Sequence, residues 1–121
     1  MTIYLLIGGL MAAAYVFYKV YSKSHLDKNL AGLIKNGAQV LDVRTNLEYR
    51  QGHIEGAINI PLSSLREEDL PLSKKQTYIT CCSHGLRSVK AVQLLKERGF
   101  KHIYNGGVWK DLERQTNMKK M

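Results

Sequence analysis

The chain has 121 residues, which is enough for one domain. Its composition of 45% hydrophobic and 23% charged residues excludes a disordered or low-complexity protein. Eighteen Lys and Arg against ten Asp and Glu give a net charge of +8. The two cysteines, Cys81 and Cys82, are adjacent, so they cannot link distant parts of the chain. A secreted module built on disulfides is therefore excluded, and a reducing compartment is favoured.

The first segment is apolar, since residues 3–18 carry no charged side chain. As a helix this segment would be about 24 Å long, or about 28 Å if it extends to residue 21. We therefore predict that residues 3–21 contact a membrane as a single-pass transmembrane helix. A cleaved signal peptide is the alternative. The apolar run continues past the small residues 12–14, however, and no basic segment precedes it, which favours an uncleaved anchor.

Positive charge follows the apolar segment rather than preceding it. Lys19, Lys23 and Lys28 come after it, and only the terminal amine lies before it. The positive-inside rule then predicts that the folded part lies in the cytoplasm. We divide the chain into an anchor and juxtamembrane segment, residues 1–24, and a domain, residues 25–121.

The rest of the chain alternates between strand and helix patterns. The predicted strands are residues 39–43, 57–60, 77–81 and 101–104. The predicted helices run from Leu26 to about Gly37, from a capping box at Thr45–Glu48 to Gly52, from Ser88 to Arg98 before Gly99, and from Val108 to Gln115. This alternation predicts an α/β fold with a mainly parallel sheet flanked by helices, and ligands in such folds bind at the carboxyl ends of the strands.

The segment CSHGLRS, residues 82–88, follows a predicted strand and leads into a predicted helix. Backbone N–H groups converge on a helix start and favour an anion, including Cys82 as a thiolate. Arg87 adds a positive charge, Gly85 permits backbone torsions that other residues resist, and Ser88 can cap the helix. We therefore predict a nucleophilic cysteine that attacks a sulfur or phosphorus centre of an anionic substrate.

Three motifs resemble those of single-domain rhodaneses. They are Val40–Arg44 followed by Glu48-Tyr49 and Gly52–Pro61, then Cys82-x-x-Gly85-x-Arg87-Ser88, and then Tyr104–Gly107. The resemblance implies a rhodanese-like fold and a sulfurtransferase. Such an enzyme forms a persulfide on its cysteine, with sulfur from a small anion such as thiosulfate. It then passes the sulfur to a thiophilic acceptor, which is a thiol, cyanide or a protein sulfur acceptor.

The resemblance also implies roles for individual residues. Cys82 is expected to be catalytic. Asp42 and Arg44 are similar to the family's pair that orders the active-site neighbourhood, and His53 is expected to form hydrogen bonds within its loop. The expected substrate-binding residues are Ser83, His84, Gly85, Leu86, Arg87 and Ser88.

The chain departs from the family pattern at three points. Many members that use thiosulfate have a basic residue where this chain has Ser83, so the natural donor stays open. Trp109 lies two residues after Gly107, which is earlier after the glycine pair than in the family pattern. The apolar N-terminal segment is an addition that the minimal family domain lacks.

Two other functions remain open. The first is a cysteine-dependent phosphatase or arsenate reductase that uses Cys81 as its nucleophile. The spacing from Cys81 to Arg87 and Ser88 fits the longer active-site loop of those enzymes. Gly85 and Thr80 favour counting from Cys82, with Cys81 as a small buried residue. The other alternative is a non-catalytic, membrane-anchored binding module.

The sequence predicts neither a metal nor another cofactor, because the histidines and cysteines lack metal-ligand spacing. It predicts no nucleic-acid partner, since basic and aromatic residues are not interleaved. Attraction to an anionic leaflet or to anionic donors accounts for the charge.

Overall fold

A computed structural model describes residues 1–24, 26–67 and 69–116, apart from the side chains of residues 22–24. The helices are α1 Thr2–Ser24, α2 Leu30–Lys35, α3 Asn46–Gln51, a 3₁₀ helix Leu62–Arg66, α4 Leu86–Glu97 and α5 Trp109–Thr116. The strands are β1 Gln39–Asp42, β2 Ile58–Asn59, β3 Tyr78–Cys82 and β4 Ile103–Val108. Residues 117–121 of the predicted domain and the side chain of Lys23 lie outside the described part.

The four strands form one sheet in the order β2-β1-β3-β4, and each neighbouring pair is parallel. This confirms the predicted α/β fold. Asp42 at the end of β1 pairs in register with Cys81 near the end of β3. The carboxyl ends of the two central strands, where the sequence predicts the chemistry, therefore lie side by side.

Two apolar layers pack on the two faces of the sheet. One contains Leu41, Leu65, Leu95 and Phe100, and the other contains Leu30, Ile54, Ile79 and Leu112. Cys82 belongs to the first layer and Cys81 to the second, because successive side chains of a strand point to opposite faces. The two adjacent thiols thus face different environments.

Several boundaries differ from the sequence prediction. The helix predicted from Leu26 begins only at Leu30, and β4 continues to Val108 instead of ending at Tyr104. Helix α4 begins two residues earlier than predicted, at Leu86. The prediction that Ser88 caps this helix is therefore wrong, since the N-cap is Gly85.

The segment after α1 is attached to the sheet. The backbone N–H of Asp27 donates to the carbonyl oxygen of Asn105 at 3.1 Å. In return, the N–H of Asn105 donates to the carboxylate of Asp27 at 2.6 Å. Residues 2–21 of α1 have a mean hydropathy of 1.7 and are long and apolar enough to cross a membrane. Helices of this kind also occur as signal sequences.

A buried ion pair closes the end of β1. The Nε and Nη2 atoms of Arg44 lie 2.9 and 2.6 Å from the two carboxylate oxygens of Asp42. Asp42 is 0% exposed and Arg44 is 3% exposed. The Nη2 group also donates to the carbonyl oxygen of Gly52 at 2.7 Å, so the pair links β1 to the segment after α3.

We expect Asp42→Asn to destabilise the chain by about 3–5 kcal/mol, because it leaves the charge of Arg44 buried without its partner. Asp111→Asn is the control, since it removes the partner of Arg114 in an exposed pair and should cost less than about 1 kcal/mol. Both changes in the free energy of unfolding are measured by urea unfolding of the full chain in micelles, with the fluorescence of Trp109 as the signal. Equal unfolding midpoints for the two variants would contradict the importance of the buried pair.

Candidate active site

Cys82 is the last residue of β3, and its sulfur atom lies at the start of α4. The backbone N–H of Gly85 donates to Sγ at 3.0 Å, and the N–H of Ser88 donates at 3.3 Å. The residue is 0% exposed and is a free thiol. Two N–H donors and the positive end of the helix dipole therefore favour negative charge on this sulfur.

One residue in the left-handed backbone conformation and two hydroxyl groups hold the loop in this shape. Gly85 has a φ of 89°, which lies in the left-handed region that residues with a side chain rarely adopt. The Ser88 hydroxyl donates to the carbonyl oxygen of Gly85 at 3.1 Å, and the Thr80 hydroxyl donates to the carbonyl oxygen of Ser88 at 3.0 Å. Ser88 therefore stabilises the loop from the first turn of α4, and Thr80 ties that turn to β3.

The remaining loop residues form a rim around the buried sulfur. Ser83 and Arg87 are half-buried, whereas His84 and Leu86 are exposed. The guanidinium of Arg87 makes a two-point contact with Glu48, at 2.8 and 3.0 Å. The Ser83 hydroxyl donates to the same carboxylate at 3.1 Å. Arg87 is therefore paired with a carboxylate. The sequence analysis placed Glu48 in a capping box and in the first of the three motifs, but it did not predict this contact.

Glu48 is fixed from both sides. The capping box is present, with the N–H of Glu48 donating to the Thr45 hydroxyl and the N–H of Thr45 donating to the Glu48 carboxylate. The hydrogen bonds from Arg87 hold the pKa of Glu48 well below its usual range. Those from Thr45 and Ser83 act in the same direction, against an opposing effect of burial. Glu48 is therefore a carboxylate at neutral pH.

Cys81 is buried in the opposite layer, and burial raises the pKa of its thiol well above the usual value. The nearby charge of Asp42 raises this pKa further, and Arg44 lowers it. The Asp42–Arg44 pair thus lies beside Cys81 rather than at the sulfur of Cys82. The guanidinium of Arg44 also stacks over Trp109, 4.7 Å from the ring centre.

His53 contacts α3. Its Nδ1 atom lies 2.7 Å from the carbonyl oxygen of Tyr49, and the two rings stack with their centres 3.7 Å apart. This hydrogen bond is local, since the two residues are four positions apart in the sequence. Among the described residues, His, Cys, Asp and Glu side chains form no group of three that could hold a metal ion.

A cavity of about 400 Å³ lies beside the loop, between the end of α1 and α5. Its lining includes Tyr18, Leu26, His84, Gly85 and Val108. The Tyr18 hydroxyl donates to the carbonyl oxygen of His84 at 2.5 Å, so the apolar helix contacts the cysteine loop directly. A second cavity, of about 600 Å³ beside Lys74 and Phe100, shares none of its lining with the loop.

The chain belongs to the rhodanese family, because residues 26–110 match the family described as the rhodanese-like domain. Among solved structures, a rhodanese with anions from Escherichia coli is similar to it, with a TM-score of 0.56 and 37% sequence identity. That similarity covers 62% of this chain and 91% of the other.

Two relatives are named as sulfurtransferases. The thiosulfate sulfurtransferase PspE of Escherichia coli K12 is 38% identical over 74 residues, which is 60% of this chain and 71% of the relative. A tRNA sulfurtransferase of Thermoplasma acidophilum is 32% identical over 94 residues, which is 77% of this chain but only 18% of that longer protein. The family is thus one that includes sulfurtransferases.

The Glu48–Arg87 pair predicts an unusual titration. We expect the Glu48 carboxyl to titrate well below the ordinary glutamate value of about 4.3, and Arg87→Gln to raise its pKa because the largest cause of the shift is lost. Since the pKa is lowered in the folded chain, the stabilisation is present above pH about 4.3 and declines as the pH falls toward the folded-state value. The carbon chemical shift of the Glu48 carboxyl, recorded against pH, gives this pKa in the wild type and in Arg87→Gln. An unchanged titration midpoint in Arg87→Gln would contradict Arg87 as the main cause of the lowered pKa.

Proposed function

We propose that this protein is a sulfurtransferase that carries sulfur as a persulfide on Cys82. The observation that carries the proposal is the position of the Cys82 sulfur at the start of α4, with N–H donors at 3.0 and 3.3 Å. The same donors that favour a thiolate also favour a persulfide anion or a bound oxyanion at that place. Ser83 to Ser88 form the binding loop.

The reaction has two steps. The Cys82 thiolate attacks the outer sulfur of a donor such as thiosulfate. A new sulfur–sulfur bond forms, the bond within the donor breaks, and sulfite leaves with the electron pair. A thiol acceptor, as its thiolate, or cyanide then attacks the outer sulfur of the persulfide and returns Cys82 as a thiolate. A protein thiol serves equally as the acceptor. Neither step needs a metal or an external oxidant.

The comparisons support this chemistry at the level of the family. Both relatives described above are named as sulfurtransferases, and the solved structure from Escherichia coli is described as a rhodanese with anions. Asp42 and Arg44 fit a supporting role, since they hold the end of β1 beside β3. We assign His53 a local role in the segment after α3.

The alternative nucleophile, Cys81, fits the structure less well. Its thiol points into the layer opposite the loop, and its raised pKa keeps it protonated at neutral pH. Glu48, the carboxylate that contacts Ser83 and Arg87 of the loop, stays ionised, so it is unsuited to act as the general acid that a phosphatase or arsenate reductase needs. A non-catalytic binding module would leave the N–H donors around Cys82 without a chemical use.

We expect incubation with thiosulfate, or with another sulfane donor, to add one sulfur atom to the chain, and cyanide to remove it. Intact-mass measurement follows both changes. Cys82→Ser abolishes the gain, because the nucleophile is lost. Cys81→Ser is the matched control, since it removes the neighbouring thiol and keeps the loop.

Two results would decide against the proposal. One is a gain of sulfur that survives Cys82→Ser and disappears in Cys81→Ser. The other is no gain from any sulfane donor while Cys82 still reacts with an alkylating reagent. Hydrolysis of phosphate esters that depends on Cys81 would then establish the alternative.

We also propose that α1 anchors the domain, residues 25–121, to the cytoplasmic face of a membrane. The length and hydropathy of residues 2–21 support an anchor. Lys19 near the end of this segment, and Lys23 and Lys28 after it, support the orientation. The contacts of Tyr18 with the loop and of Asp27 with β4 would then hold the active site near the membrane surface.

We expect the full chain to stay in the membrane fraction after an alkaline carbonate wash. A chain that starts at residue 26 lacks the apolar helix and should be released. Protease added to the outside of intact cells should leave the domain undigested. Release of the full chain by carbonate, or a shortened mass consistent with cleavage after residues 12–14, would identify the segment as a signal sequence instead.

A further inference from the structure

After α1, the large apolar side chains that are exposed among the described residues all border the cysteine loop. They are Leu26, Leu47 and Leu86, which are 37%, 66% and 45% exposed. Leu86 is the first residue of α4 and directly follows Gly85, whose N–H donates to the Cys82 sulfur. The exposed leucines of the described domain therefore gather at the mouth of the site.

The other two leucines lie beside the loop through their neighbours. Leu47 precedes Glu48 in α3. The carboxylate of Glu48 accepts hydrogen bonds from Ser83 and Arg87 of the loop. Leu26 lines the cavity of about 400 Å³ that adjoins the loop. We call these three exposed residues, at positions 26, 47 and 86, the leucine rim.

The apolar helix α1 sets the distance between the loop and a membrane. Residues 3–18 carry no charged side chain, and Lys19 is the first charge that follows them. Tyrosines at the end of an apolar span lie at the level of the lipid headgroups, so an anchor places Tyr18 there. The Tyr18 hydroxyl donates to the carbonyl oxygen of His84 at 2.5 Å. The backbone of the cysteine loop therefore lies at headgroup level as well.

The length of the span acts in the same direction. Residues 2–18 measure about 26 Å as a helix, whereas the hydrocarbon core of a bilayer is about 30 Å thick. A short span is accommodated by thinning of the bilayer or by flanking residues that reach toward it. Both responses bring the leucine rim closer to the lipid.

The charged side chains on this side of the domain suit a headgroup layer. Arg87 of the loop is paired with Glu48, and Asp111 at the cavity is paired with Arg114. A paired charge costs less to bring out of water than a lone one. Lys19 also lines the cavity, and its positive charge is attracted to an anionic leaflet. The electrostatics of this side therefore do not oppose contact with lipid.

We propose that the leucine rim inserts into the headgroup layer, and that Cys82 passes its sulfur to an amphiphilic thiol held in that layer. This inference rests on the proposed sulfurtransferase function and on the proposed anchor. An alkyl tail concentrates a thiol in the layer onto which the site opens, whereas a small polar thiol stays in water.

The transfer step is balanced without a further reagent. The thiolate of the acceptor, R–S⁻, attacks the outer sulfur of the Cys82 persulfide and forms a new sulfur–sulfur bond. The bond between that outer sulfur and the Sγ atom of Cys82 breaks, and Cys82 leaves as a thiolate with the electron pair. The acceptor becomes the persulfide anion R–S–S⁻, so no oxidant or reductant is consumed.

Fluorescence quenching by brominated lipids tests where the leucine rim lies. The full chain is placed in vesicles of phosphatidylcholine with phosphatidylglycerol, with Trp109→Phe as the background. Leu47→Trp and Leu86→Trp each introduce one tryptophan on the rim. Lys75→Trp is the control, because this exposed residue precedes β3 at the opposite end of the sheet. We expect brominated lipids to remove about half of the fluorescence at the rim and less than about a tenth at the control position.

Sulfur removal from the loaded chain tests the acceptor. In the same vesicles Cys82 is first loaded from a sulfane donor. Intact-mass measurement then follows the loss of that sulfur to 1-octanethiol or to 2-mercaptoethanol. Leu47→Gln weakens the leucine rim at a position outside the loop, and we expect it to lower the ratio of the octanethiol rate to the mercaptoethanol rate about fivefold. Leu47→Met keeps an apolar side chain and should change this ratio by less than about twofold.

The outcomes separate this inference from the proposals beneath it. Quenching at the rim no stronger than at Lys75→Trp would overturn insertion of the rim, even where the chain stays with the vesicles after a carbonate wash. An equal rate ratio in the wild type and Leu47→Gln would overturn the amphiphilic acceptor and leave the sulfurtransferase standing. Failure of Cys82 to load from any sulfane donor would overturn the proposed function, and release of the full chain by carbonate would overturn the anchor.

Discussion

The arrangement of the active-site end of the sheet depends on the buried pair between Asp42 and Arg44. The pair binds the carbonyl oxygen of Gly52 through Arg44, and the amide of Asn59 donates to the carbonyl oxygens of both Asp42 and Arg44 at 3.0 Å. The pair thus joins β1 to the segment after α3, and Asn59 joins the backbone of the same two residues to β2. Since α3 carries Glu48, the position of the carboxylate over the cysteine loop follows from an ion pair on the other face of the sheet.

Much of this architecture follows from local patterns in the sequence. Alternating strands and helices predict the parallel sheet, and Thr45 with Glu48 predicts the start of α3, because a capping box is a contact between near neighbours. The order of the motifs places Cys82 at the end of a strand. The start of α4 was less predictable, since a left-handed glycine at position 85 caps it without a side-chain hydrogen bond.

Features that depend on distant parts of the chain were not predictable in the same way. Glu48 and Arg87 are 39 residues apart, and nothing in their local sequence indicates that they pair. Strand β4 extends through Gly106, although glycine is uncommon in strands. A glycine is needed there because a Cβ at position 106 would lie 2.7 Å from the carbonyl oxygen of Thr80 in the neighbouring strand β3.

The two neighbouring thiols face opposite layers, and this has a consequence for oxidative damage. A sulfenic acid formed on Cys82 is commonly rescued by a second thiol, which condenses with it and releases water. Cys81 points to the other face of the sheet and is kept protonated by burial, so it is unsuited to that task. Rescue therefore draws on thiols from outside the chain, the same class of molecule that would accept sulfur in the proposed transfer. A cell depleted of such thiols would lose turnover and repair together.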